Sequence, residues 1–201
     1  MATKLEIINR ALAKLGEDRI ADVDDDVKAA REMSALYDIV LLAELREHNW
    51  NFAVARASLD ADATAPEWGY QYRYELPADF VKLLDIDGAW RSVSSSDRIT
   101  YDSSLFRIEA GFIVTDMAEP LLIRYTRSLE ADEEPLMDKA FVESFACRLA
   151  VEGCEILTQS STKRQLAMQE YQRSIVAAIM ANAVENPPTP IADDSWMLAR
   201  L

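Results

Sequence analysis

Histidine, cysteine, glycine and long apolar runs are all scarce in this chain of 201 residues, and each scarcity removes a class of function. His48 is the only histidine, it falls at a predicted helix end, and no serine has the surroundings of a nucleophile elbow, so a Ser-His or Cys-His nucleophilic pair has no natural seat. Five glycines include no Gly-rich phosphate loop, and no Cys/His cluster has zinc spacing. The two cysteines, Cys147 and Cys154, fall seven residues apart on a predicted helix, roughly 10 Å along its axis, which is too far for a disulfide. They read as small buried groups in a reducing compartment. No stretch nears the roughly 18 apolar residues of a membrane span, and the first residues lack the basic and apolar regions of a signal peptide, so synthesis in the cytoplasm is expected. Lys and Arg total 21 against 35 acidic residues, a formal charge of −14. That balance disfavours sequence-independent binding along a phosphate backbone.

Half of the residues are apolar, enough for a sizeable core. Thr3 and Glu6 form a capping-box pattern, followed by Leu5, Ile8, Leu12 and Leu15 at helical spacing up to Gly16. Asp24-Asp25-Asp26 follow in an acidic loop whose last aspartates are expected to cap a second helix over 26–47; the alternative, a Ca²⁺ or Mg²⁺ loop, lacks the required Gly and Glu. Ala30, Met33, Tyr37, Val40, Leu41 and Leu45 mark the buried stripe of that helix. Glu44 and Glu47 beside His48 are the least implausible acids for a glycosidase, and read better as ordinary surface groups.

The pattern changes near His48–Asn49. Trp50, Phe52 and Val54 alternate with Asn51, Ala53 and Ala55, which predicts a strand, and the two large rings are expected to pin a β part onto the helices. Trp68, Tyr70, Tyr72 and Tyr74 alternate likewise and predict a strand with one aromatic face, fit for a packed sheet or subunit contact rather than for stacking bases. A turn at Leu76–Asp79, a strand over 80–86, short strands near 89–93, 98–101, 105–109 and 112–115, and a last strand over 121–125 complete a small antiparallel sheet. Pro135 opens a third helix with a stripe of Phe141, Phe145, Leu149 and Ile156, and Gly153 permits close packing. After 158–161 a fourth helix carries Leu166, Met168, Tyr171, Ile175, Ile179 and Ala183. Asn186-Pro187-Pro188-Thr189-Pro190 then forces an extended tail, on which Trp196, Met197, Leu198 and Leu201 suit docking onto a neighbour; folding back on the chain's own helices is the alternative.

The expected class is therefore α+β: an antiparallel bundle of about four helices (1–49 and 130–186), an inserted small antiparallel β part (50–129) and an extended C-terminal docking tail (187–201). Several stretches, in this order, resemble the tail tubular protein A family of short-tailed phages. They are Lys14-Leu15-Gly16-Glu17, the Asp24–Asp26 turn, Leu45-Arg46-Glu47-His48-Asn49-Trp50-Asn51-Phe52-Ala53, Tyr72-Arg73-Tyr74-Glu75-Leu76-Pro77-Ala78-Asp79, Pro120-Leu121-Leu122-Ile123-Arg124-Tyr125, and a Pro-rich tail ending in Ser195-Trp196. The resemblance implies a virion protein, a ring-forming head-to-tail adaptor of about twelve copies between portal and tail nozzle, lining the channel through which DNA passes. It implies no enzyme, cofactor or metal, names portal and nozzle proteins as partners, and leaves tail fibres as a further one. Trp196, Met197, Leu198 and Leu201 would dock on the portal, while Trp50 and Phe52 would hold the helix-to-sheet junction. Two other readings stand beside it: a peptidoglycan-cleaving tail accessory protein using Glu44 or Glu47, and an acidic, monomeric cytoplasmic binding module.

Overall fold

The computed structural model describes residues 2–86 and 105–185. The strands expected near 89–93 and 98–101, and the tail with Trp196, Met197, Leu198 and Leu201, lie outside the described residues. Among the described residues the chain is mixed α+β, with four α-helices and two three-stranded antiparallel sheets. They fall into two compact units: one takes the chain up to Ala53 and again from Ser128, the other lies within Val54–Arg127.

The helical unit begins with α1 (Lys4–Leu15), which has the expected capping box between Thr3 and Glu6 and stops at Gly16, held at φ 69° where a side chain would be strained. Helix α2 (Lys28–Glu47) starts later than the acidic run suggests, and its N-cap is Val27 without a side-chain bond. The expected aspartate cap is absent because Asp25 is turned the other way: its Oδ2 accepts from the amides of Ala21 and Asp22 and folds its own loop. Asp26 pairs with Arg31.

A 3₁₀ turn over Glu134–Leu136 contains Pro135, so proline opens that turn, while α3 (Lys139–Thr158) is capped by Asp138, whose carboxylate accepts from the amides of Ala140 and Phe141. Phe141, Phe145 and Leu149 of α3 are fully buried together with both cysteines. Ile156, expected in the same stripe, is exposed; spacing specifies its azimuth but not how far the neighbouring helices extend. Gly153 admits α2 closely, since a Cβ there would come within 2.7 Å of Met33 Sδ. Helix α4 (Ser161–Val184) buries Ala167, Tyr171, Ile175 and Ala178, so Tyr171 and Ile175 of the expected stripe lie in the core, whereas Leu166, Met168, Ile179 and Ala183 are exposed. Because α4 carries apolar side chains on more than one face, period alone does not select the buried one.

Trp50 and Phe52 are not on a strand. The chain leaves α2, makes a 3₁₀ turn over Asn51–Ala53, and only then enters β1 (Val54–Leu59). The Asn51 amide and side chain are bonded to Asn182 of α4, which holds the turn, and both rings pack on Phe141 within the helical unit, at centroid distances of 4.7 Å and 4.8 Å.

In the second unit, β6 (Leu121–Arg127) is the centre of one sheet, flanked by β1 and by β3 (Phe80–Ile86). The other sheet has β5 (Phe112–Thr115) between β2 (Tyr72–Glu75) and β4 (Phe106–Glu109). The β4–β5 hairpin turns on Ala110 and Gly111, both at positive φ, as a two-residue turn with matching twist requires. The aromatic strand is shorter than its alternation suggests, because Gly69 at φ 91° breaks the run and leaves Trp68 85% exposed on a bend. Tyr74, Ile86, Ile113, Leu121, Ile123 and Tyr125 form this unit's core. Among the described residues no helix is long and apolar enough to cross a membrane.

Candidate functional site

The acid expected from sequence to be a surface group is the most buried carboxyl of the helical unit. Glu44 is 1% exposed, because it falls seven residues after Tyr37 and four after Val40 on the inward stripe of α2. Its Oε1 accepts a hydrogen bond of 2.8 Å from Tyr171 Oη on α4 and lies 3.8 Å from Arg148 Nε on α3. Arg148 also pairs with Glu152 at 3.1 Å and places its guanidinium 5.4 Å from the centroid of the Tyr171 ring. Glu44 Oε2 is buried without a hydrogen-bond partner. Burial pushes the Glu44 carboxyl above its ordinary range, against the opposing pull of the Tyr171 bond and the Arg148 charge. Tyr171 is pushed up as well, first by burial and then by its bond to Glu44. Trp50 Nε1 donates to the Glu44 carbonyl at 3.1 Å, so one residue ties α2, α3, α4 and the following turn.

This arrangement can hold a proton, but it does not present a carboxyl to a polysaccharide. Glu47, by contrast, is exposed as expected. A glycosidase needs two carboxyls flanking a reachable bond, and the buried Glu44 faces a phenol and a guanidinium instead.

A second polar cluster joins α1, α3 and α4. Arg10 grips Glu143 with two bonds of 3.0 Å, and Lys14 Nζ lies 2.7 Å from Glu143 and 2.5 Å from Glu170. The Arg10 bond, followed by those of Lys14 against the cost of burial, holds Glu143 down at about 2. Burial opposes the charge of Lys14, yet its bonds to Glu143 and Glu170 raise it to about 12. Ligand atoms of Glu143, Cys147 and Glu170 lie within 4.8 Å of one another. The cation between the two carboxylates is supplied by the chain itself, as the Lys14 ammonium.

The third feature is the outer face of α4. Val176 is 50% exposed and Met180 65%, and with Met168, Gln172, Ile179 and Ala183 they follow one another at three- and four-residue steps. From Ser174 to Val184 the helix has no charged residue, in a chain with a formal charge of −14. Sequence spacing misses this face: it assigns Met168, Ile179 and Ala183 to the core stripe and does not single out Gln172, Val176 or Met180. Sequence reasoning misses the burial of Glu44, although its own spacing places it on the α2 stripe.

No protein-family model matches the chain, and no curated protein matches it.

Proposed function

We propose that the chain is a structural head-to-tail connector of a short-tailed virus, assembling as a ring between portal and tail nozzle. The observation that carries this reading is the outer face of α4, exposed among the described residues, on which a neighbouring copy would lie. Apolar side chains held in water on one uncharged helix face mark a contact surface. Covering the exposed part of each is favourable by roughly 1 kcal/mol. A homo-oligomer reuses that gain at every subunit. In this reading the four helices work as a bundle whose sides meet neighbours, and the segment 187–201 docks on the portal through Trp196, Met197, Leu198 and Leu201. The order of the six stretches that resemble the tail tubular protein A family supports the same assignment. The acidic balance suits a conduit whose surface as a whole repels DNA.

Light scattering on the full chain, alone and mixed with the portal protein of the same virus, tests the proposal. A particle of ring mass is expected on the portal. Replacing Val176 and Met180 together by Glu should prevent ring formation without unfolding the monomer, since both side chains point to solvent. A chain that stays monomeric beside the portal would overturn the reading, and rings formed equally well by the double variant would remove α4 from the contact.

A further inference from the structure

The sheet β1-β6-β3 contains an electrostatic arrangement that its own residues leave unbalanced. Arg56 on β1 is paired directly across the ladder with Arg124 on β6. Like charges in directly opposite positions repel. Asp85 on β3 is the partner of Arg124 on its other side, but the closest approach is 3.9 Å. Both Arg124 Nε and Asp85 Oδ1 are buried without a hydrogen bond. Arg56 is exposed and, among the described residues, has neither an ion pair nor a hydrogen bond. Arg56, Arg124 and Asp85 all line an open cavity of about 400 Å³, whose lining also includes Ser58 and Leu122.

We propose that this cavity binds a phosphate group, presented by a nucleic-acid backbone or free in solution. A carboxylate has two oxygens, which one guanidinium fork occupies fully. Two forks on adjacent strands, with a serine hydroxyl beside them, call for an acceptor with more oxygens in tetrahedral array. Phosphate supplies these, and its negative charge offsets the repulsion between Arg56 and Arg124 across the ladder, working against the Asp85 carboxylate in the same lining. The cavity is larger than a phosphate ion, and half-exposed Leu122 offers apolar contact to a sugar flanking a phosphodiester. The lining of the site belongs to one sheet.

The test uses the full chain. Thermal unfolding is followed in inorganic phosphate and in chloride at equal ionic strength, and binding of a short DNA duplex is followed by fluorescence anisotropy. Phosphate should raise the melting temperature beyond chloride. Arg56→Ala should weaken phosphate binding by about tenfold or more, with Arg56→Lys between it and the parent, because lysine restores charge but not the fork. Arg107→Ala, which removes a guanidinium 4.0 Å from Glu109 on the other sheet, should match the parent. Duplex binding that free phosphate displaces assigns the group to nucleic acid. A phosphate response without duplex binding assigns it to the free ion. No response to phosphate beyond chloride together with no duplex binding would overturn the proposal, as would equal losses in Arg56→Ala and Arg107→Ala.

Discussion

Glu44 and Glu143 both bridge helices in this protein, and their environments drive them in opposite directions. Glu44 lies in the interior, with a neutral phenol at 2.8 Å and its closest cationic nitrogen at 3.8 Å, and its carboxyl is raised. Glu143 sits at the edge, its side chain 41% exposed, with two cations at 2.7–3.0 Å, and its carboxyl is held at about 2. Burial penalises the charged form and close charge-assisted bonds favour it, so the balance between them decides the sign. A cross-helix carboxylate is a strong tie in its ionised form only when its cations come to bonding distance.

The largest effect should come from removing the cation on the weaker side of this contrast. Arg148→Ala leaves Glu44 with Tyr171 alone in a buried site and should cost about 2–4 kcal/mol at pH 7. Urea unfolding would measure it, and the cost should shrink as pH falls, because the raised carboxyl can escape by taking a proton. A loss independent of pH would mean that Arg148 acts by packing on the Tyr171 ring.

Replacing the acid itself is expected to have a smaller and opposite effect. The folded pKa of Glu44 lies above its ordinary value of 4.5, so the folded state holds the proton more tightly than the unfolded one. The resulting stability is fully present below 4.5 and is lost as pH rises through the folded value. Glu44→Gln should therefore remove that part of the pH dependence and match or exceed the parent by about 1 kcal/mol at pH 7. Denaturation midpoints from pH 4 to 8 would test it; a parent that gains stability relative to the variant as pH rises would show the ionised form to be the favoured one.

The same contrast explains which features can be read from sequence. Helix α1 is legible because Thr3, Glu6 and Gly16 are local signals whose partners lie within a turn. The Ala110–Gly111 hairpin is legible for the same reason. Trp50 and Phe52 mislead because two large alternating rings are what a strand would show, whereas the deciding partners, Asn182 and Phe141, are far along the chain. Glu44 falls on the α2 stripe by spacing, but residue type outweighs position until Tyr171 and Arg148 are known to face it. The α4 face fails differently: two apolar stripes on one helix cannot both be core, and only the placement of α3 chooses between them.

Glu143 provides the smallest effect and the mirror image of Glu44. Its folded pKa is depressed, so its contribution is present above the ordinary 4.5 and is lost as pH falls toward about 2. Because the side chain is 41% exposed, solvent screens the pairs, and Glu143→Gln should cost only about 0.5–1 kcal/mol at pH 7. The deficit should shrink in added salt and disappear as pH falls from 4.5 toward 2, the reverse of the trend for Glu44. Urea midpoints for Glu143→Gln and Glu44→Gln, each taken relative to the parent across one pH series, would give curves of opposite slope. Parallel curves would mean that distance to a cation does not separate the two sites, and that burial alone sets how a helix-bridging carboxylate contributes.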